Sequence, residues 1–255
     1  MADSINPNTS IALYRYMCHN IVGSEDHVKH IRSINAVRDN LQSNKYLTFI
    51  TSGSFGEGLE MRGSDLDIMM VLHKLCEVFE NIKTCFNPEI EHVIIEIDDV
   101  KPCYALLRLD HYINPDIFNY CEEHNGKQYF SSALHKQCLL SDFSKKIHGP
   151  CISDKDGYFD YAISLHCKTW ISPALQWITR SSNSWSSDGV KQSIIKHGVL
   201  FVPIGVKGSP NEDIEWRVSF SVGEKLLINT FTHSITVLCS IQNYFERCNS
   251  NLFRM

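Results

Sequence analysis

The sequence lacks the features that mark a membrane or exported protein. Its 255 residues carry a formal net charge of −5 at pH 7. The N-terminus has no basic-then-apolar signal pattern, and the longest apolar stretch, around residues 199–206, is too short to cross a bilayer. We find no internal repeat and no low-complexity tract. We therefore expect a cytoplasmic protein with no membrane partner.

Cysteine is present, but not in a metal-binding pattern. The ten cysteines include no C-x-x-C, and neighbours such as His166 and Cys167 lack the spacing of zinc ligands. We therefore expect buried or free thiols in a reducing compartment and predict no zinc site.

The negative net charge argues against a dominant nucleic-acid-binding surface. A local basic patch stays open, since several basic residues fall on or beside a predicted helix spanning residues 130–147. Its alternative is a solvated helix face. The patch consists of Lys127, Lys136, Lys145, Lys146 and His148.

A glycine-rich turn follows the first predicted strand. Residues 46–51 are apolar, β-branched and aromatic, which indicates a buried strand. The turn after it contains Gly53, Ser54 and Gly56. Glycine lets the backbone approach an anion closely, free N–H groups at a helix start favour phosphate, and Ser54 adds a hydroxyl donor. Taken alone, such a turn is common and weakly specific.

Aspartates open the next predicted strand, residues 66–72. Because side chains alternate along a strand, Asp65 and Asp67 should point to the same face. Two such carboxylates suit Mg²⁺, which prefers oxygen ligands and shares substrate phosphates. A two-metal site commonly uses a third carboxylate, and Asp160 in the apolar run 158–165 is the candidate, since it is costly to bury unpaired. The alternatives are a solvated strand edge for the pair and a turn cap for Asp160.

The order of these parts resembles the male-abnormal (Mab) family of nucleotidyltransferase-fold proteins, and within it the cyclic GMP-AMP synthase-like receptors of invertebrates. The likeness covers roughly residues 10–235. It rests on three blocks, which are residues 53–58 with 64–67, residues 159–161 with Trp170 and Pro173, and residues 214–225.

The resemblance implies a fold and a reaction. The fold would be α+β and polymerase-β-like, with a mixed central sheet flanked by helices. The reaction would join ATP and/or GTP into a cyclic or linear dinucleotide with release of pyrophosphate. Double-stranded RNA or DNA would activate it, in innate immunity.

The resemblance also implies residue roles. Asp65, Asp67 and Asp160 would be catalytic and would bind two Mg²⁺ (or Mn²⁺) ions. Gly53 and Ser54 would hold the triphosphate. The other positions near the bound nucleotides would be Arg217, Ser219, Ser221 and Glu224.

The expected organisation has three parts. Residues 1–45 would form N-terminal helices, including a long spine helix, residues 46–220 the nucleotidyltransferase core, and residues 221–255 the start of a helical C-terminal lobe. Family members continue into that lobe, so the resemblance implies that most of it is lacking here. Three alternatives stay open: a catalytically inactive binding module, a truncated isoform, and a template-free polymerase that extends RNA ends.

Hydrophobic periodicity predicts two N-terminal helices. The first spans residues 10–22, and Ser24 would cap the second. Further strands are predicted near residues 92–98 and 103–109, a buried segment at 199–206, and a helix over residues 224–231. The apolar face of the second helix would consist of Val28, Ile31, Ile34, Val37 and Leu41.

Overall fold

The computed structural model describes residues 7–59, 66–73, 75–80, 88–140, 144–156, 159–179 and 187–237. Within them lie seven α-helices, a π-helical turn at Cys18–Val22, and 3-10 turns at Pro115–Tyr120 and Ser172–Ala174. The helices are α1 (Pro7–Met17), α2 (Glu25–Gln42), α3 (Gly53–Gly56), α4 (Ser132–Cys138), α5 (Leu175–Thr179), α6 (Asp188–His197) and α7 (Ser221–Ile228).

Twelve strands are found in the described residues. They are β1 (Leu47–Thr51), β2 (Leu66–Leu72), β3 (Glu77–Phe79), β4 (His92–Glu96), β5 (Tyr104–His111), β6 (Cys121–His124), β7 (Lys127–Phe130), β8 (Ser144–His148), β9 (Cys151–Asp154), β10 (Phe159–Cys167), β11 (Val199–Val202) and β12 (Glu215–Ser219).

The strands form one curled, mixed sheet, so the protein has an α+β architecture. The main path runs β1-β2-β10-β11-β12-β5-β4-β3, with β6 and β7 attached to β5 and the β8–β9 hairpin attached to β10. The β3 end of the path curls back towards β10, because Lys168, just after β10, donates to Glu77 in β3 at 2.8 Å. The sheet contains both parallel and antiparallel strand pairs, as expected for the mixed central sheet predicted from the sequence.

Strand β10 is central to the sheet. It pairs in parallel with β2 along one edge, from Phe159 to Ser164. Its other edge is shared: β9 pairs with Asp160 and Tyr161, and β11 pairs with residues 165–167. The start of β10 therefore lies between the β8–β9 hairpin, which is its neighbour in sequence, and β2, which is distant in sequence.

The two faces of the sheet carry separate apolar clusters. The larger one lies inside the curl and includes fully buried Trp216, Phe201 and Leu107. The smaller one includes Met69 of β2 and Ala162 of β10, and alternation along β10 places Ala162 on the face opposite Leu165 and Cys167 of the larger cluster. This smaller cluster underlies the same face on which Asp67 and Asp160 lie.

The predicted helix over residues 130–147 is wrong in its second half. Helix α4 ends at Cys138, and β8 and β9 form an antiparallel hairpin in which His148 is opposite Cys151. The pairing of these strands with the start of β10 outweighs the local helical pattern. The basic residues predicted on or beside one helix are thus divided among β7 (Lys127), α4 (Lys136) and β8 (Lys145, Lys146 and His148).

The predicted apolar face of the second helix is also wrong in part. Ser24 caps α2 as expected, accepting from His27 N at 3.3 Å, and Val28 is buried. However, Ile34, Val37 and Leu41 are exposed by 49%, 57% and 80%. The helix instead docks through a polar stripe that makes hydrogen bonds to the glycine-rich turn, described below.

None of the helices in the described part of the chain is both long and apolar enough to cross a membrane.

Candidate metal centre

Two of the predicted acidic residues lie side by side. Strands β2 and β10 are parallel neighbours, and their register places Asp67 directly opposite Asp160. Because the two residues occupy equivalent positions on paired strands, their side chains leave the sheet on the same face. Strand pairing thus joins carboxylates from two distant segments.

A third potential ligand, which we did not predict, lies with them. Ligand atoms of Asp67, Cys151 and Asp160 all lie within 4.8 Å of one another. Cys151 begins β9 and is partly buried, and the start of β9 is held against β10 by the pairing of Asp160 with Ser153. The β8–β9 hairpin therefore adds a thiol to the two carboxylates.

Asp160 is the most enclosed member of this cluster. The residue is 9% exposed, and Ser153 Oγ donates to its Oδ1 at 2.5 Å. Its other oxygen, Oδ2, is 3.9 Å from His148 Nδ1, on a side chain that is 76% exposed. No lysine or arginine among the described residues forms an ion pair with it. A carboxylate so buried is stabilised by a nearby cation.

The glycine-rich turn is adjacent to Asp67. Gly53 has φ +65°, and a Cβ added to it would lie 3.2 Å from Asp67 Cγ and closer still to Oδ2. Ser52 N also donates to the Asp67 carbonyl oxygen at 2.8 Å. Only glycine allows the backbone to approach the carboxylate this closely in this conformation. The predicted phosphate-binding turn and the predicted metal ligand are therefore in contact.

Side chains of helix α2 form hydrogen bonds to the backbone of this turn. Asn35, fully buried, donates its side-chain amide to the Phe55 carbonyl at 2.8 Å, and Arg32 Nε donates to the Glu57 carbonyl at 2.7 Å. Asp39 accepts from the Thr51 amide at 3.0 Å. These contacts add hydrogen bonds from α2 to the backbone of the turn and of Thr51, which fixes the position of the turn relative to β2.

Helix α7 is tied to the same region. Lys225 donates to Asp39 Oδ2 at 2.8 Å and to the Thr51 carbonyl at 3.1 Å. Burial, with the negative charge of Glu224 adding to it, raises the pKa of Glu57 just after α3. Glu224 therefore lies close enough to the glycine-rich turn for its charge to act on Glu57.

The remaining residues predicted to contact nucleotides differ in how close they lie to the aspartates. Ser221 Oγ is 2.9 Å from the sulfur of Met69, which is two residues after Asp67 and on the same face, and Ser219 Oγ donates to Ser221 Oγ at 3.2 Å. Arg217 is exposed on β12, opposite Val202. Among the described contacts, none joins Arg217 or Glu224 directly to the aspartates.

Asp65 lies outside the described residues, so its role stays a prediction from the sequence. Ser54 is half-buried in α3, and its carbonyl accepts from the Leu59 amide at 2.8 Å. Its role in holding a triphosphate also stays a prediction.

The donor set suits a divalent cation. Two carboxylates facing each other across paired strands offer the oxygen ligands of Mg²⁺ or Mn²⁺. The close approach of Gly53 leaves no room for a side chain between the turn and Asp67. The thiol of Cys151 is a softer ligand than Mg²⁺ prefers.

Comparison with protein-family models and with curated proteins finds no match at a significant level. The resemblance drawn from the sequence motifs therefore stays a prediction, and any function has to be inferred from the site itself.

Proposed function

We propose that this protein is a metal-dependent nucleotidyltransferase, a cytoplasmic enzyme that joins ATP and/or GTP into a cyclic or linear dinucleotide and releases pyrophosphate. The observation that carries the proposal is the juxtaposition of Asp67 and Asp160 on paired parallel strands, beside a glycine turn. Carboxylates held together in this way bind cations that in turn bind phosphates.

The described residues have distinct roles in this proposal. Asp67 and Asp160 hold Mg²⁺ or Mn²⁺, and bound ions of this kind neutralise charge on a triphosphate. Asp160 also orients the attacking hydroxyl of the second nucleotide, and its bond from Ser153 fixes one carboxylate oxygen. The backbone at Gly53 comes close enough to Asp67 to place a phosphate next to the same carboxylate.

The glycine-rich turn is preorganised by hydrogen bonds from neighbouring helices. The turn is held by Asn35 and Arg32 from α2 and linked to α7 through Lys225. A rigid turn costs little reorganisation when charge develops in the transition state. The family resemblance adds that double-stranded RNA or DNA activates the reaction, with the exposed Arg217 among the nucleotide contacts.

The test is a product assay. Purified protein is incubated with labelled ATP and GTP and Mg²⁺ or Mn²⁺, with and without double-stranded RNA or DNA, and pyrophosphate and dinucleotide are measured. We expect Asp67→Asn and Asp160→Asn each to abolish product. Asp188→Asn, an exposed aspartate on α6, is the matched control and should keep full activity.

Three outcomes separate the alternatives. Product that persists in both variants refutes the proposed roles. Nucleotide binding without pyrophosphate release under all conditions indicates the inactive binding module. A ladder of products on an RNA primer, in place of a dinucleotide, indicates a template-free polymerase.

A further inference from the structure

The candidate site contains two ligands that a magnesium enzyme does not need. Cys151 contributes a sulfur within 4.8 Å of the two carboxylates. His148 contributes an imidazole whose Nδ1 is 3.9 Å from Asp160 Oδ2. Thiolate and imidazole are preferred by zinc and similar transition metals, whereas Mg²⁺ prefers oxygen.

The hairpin β8–β9 presents these two ligands together. His148 is the last residue of β8 and Cys151 the first of β9, and they are paired across the turn formed by Gly149 and Pro150. Paired residues in an antiparallel hairpin share a face. The same hairpin pairs with β10 at Asp160, so His148 and Cys151 are held beside the two carboxylates.

The spacing is close to that of a tetrahedral site. Zinc bonds of about 2.0–2.3 Å place neighbouring ligand atoms about 3.3–3.8 Å apart. The ligand atoms of Asp67, Cys151 and Asp160 lie within 4.8 Å of one another, and Nδ1 of the exposed His148 lies 3.9 Å from one oxygen of Asp160. The number and chemistry of the donors match a four-ligand site.

We propose that this site binds a single transition-metal ion of the zinc class, through the side chains of Asp67, Cys151, Asp160 and His148. Binding releases the thiol proton of Cys151 to solvent, because a coordinating thiol is deprotonated. The cysteine spacing predicted no zinc site, since these ligands come from four separate strands and not from one motif.

The consequence for catalysis rests on the proposed function. An ion held by all four ligands occupies the carboxylates that catalytic Mg²⁺ or Mn²⁺ requires. Zinc-class ions therefore inhibit nucleotidyl transfer, and the hairpin that supplies the two soft ligands makes the site sensitive to the type of metal.

Cobalt(II) is the probe, because a cobalt–thiolate bond gives a charge-transfer absorption band in the near ultraviolet. We titrate the full chain with Co²⁺ and expect this band at one equivalent. Cys151→Ser should remove the band and weaken Co²⁺ binding by at least about tenfold. His148→Ala should keep the band and also weaken binding.

Other cysteines of the chain provide matched controls. Cys103 and Cys138 are exposed thiols away from the cluster, and Cys103→Ser and Cys138→Ser should leave the band unchanged. A band that is missing from the unmodified protein, or that survives Cys151→Ser, overturns the proposal.

A second measurement does not depend on how well the variants fold. In the unmodified protein, Zn²⁺ should slow alkylation of Cys151 by iodoacetamide at least about tenfold, relative to Cys103, as read by peptide mass spectrometry. Equal rates with and without Zn²⁺ overturn the proposal. The cobalt band and this protection are measured without nucleotide, so loss of the catalytic proposal leaves them standing.

Discussion

Replacing Gly53 with alanine tests how the turn and the metal ligand fit together. Gly53 has φ +65°, and an added Cβ would lie 3.2 Å from Asp67 Cγ and closer to its Oδ2. The nearest obstacle is the end of a side chain, which can rotate away. We therefore expect a small loss of stability and a large loss of metal binding.

The loss of unfolding free energy in Gly53→Ala can be calculated and compared with that of a matched control variant. Holding alanine in the left-handed region costs about 1–2 kcal/mol, and the reduced entropy of the unfolded chain returns about 0.4–1 kcal/mol. The net loss is about 1 kcal/mol, or about 2–4 °C in Tm. Gly126 is the control, because it has φ +74° and a Cβ there meets nothing within 4 Å. Gly126→Ala should cost the same.

The two variants should differ in metal affinity. Turning the Asp67 carboxylate away from Asp160 should weaken Mn²⁺ binding by at least about tenfold in Gly53→Ala, with no change in Gly126→Ala. Urea denaturation and titration calorimetry measure the two effects. Equal Mn²⁺ affinities would refute the reasoning. A stability loss that exceeds that of Gly126→Ala by about 3 kcal/mol would show that backbone, not the carboxylate, had moved.

Three further predictions concern stability. Burial lowers the pKa of His135 and of His166 to about 4. Since an unfolded histidine titrates near 6.5, the unfolding free energy should fall by up to about 1.4 kcal/mol per pH unit for each as pH falls from 6.5 to 4; equal urea midpoints at pH 7 and 5 would contradict this. Lys225→Met leaves the partly buried Asp39 without its cation and should cost about 1–3 kcal/mol, measured in urea; a loss near zero would make the ion pair dispensable. Trp216→Phe removes a buried N–H donor to a main-chain carbonyl and leaves a small cavity, for about 2–4 kcal/mol; a Tm within 1 °C of the parent protein's would contradict it.

The strands of the site could be predicted because their signals are local. Residues 66–72 were predicted as a strand and form β2 with the same bounds, and the run around Asp160 forms β10. Their pairing is a long-range property, which we reached only by analogy with the order of motifs in a known family. Alternation along β2 does place Asp67 on the face of Met69, as expected.

The way in which α2 packs could not be predicted from local sequence patterns. Helix α2 exposes Ile34 and Leu41, because its position is set by polar bonds from Asn35 and Arg32 to the backbone of the turn. Hydrophobic periodicity does not detect a helix that docks by hydrogen bonds. The apolar stripe therefore predicted the buried face correctly at Val28 and wrongly at Ile34, Val37 and Leu41.

The ligands on the β8–β9 hairpin were missed for a different reason. The sequence predicts a helix that ends at residue 147, whereas residues 144–148 form β8 and pair His148 with Cys151. A better signal was the Gly149-Pro150 dipeptide, which marks a turn between two short strands. Even so, only the pairing of β9 with β10 brings Cys151 to the aspartates.

The parallel pairing of β2 with β10 also affects how the protein folds. Asp67 and Asp160 are about 90 residues apart in the chain, and contacts between such distant segments form slowly, because a long loop must be closed before they are gained. During synthesis, Asp67 and Cys151 leave the ribosome before Asp160 does. A metal ion held between these strands would add to the stability of the finished fold and could not guide its first steps, so metal binding would report that the central strands have joined.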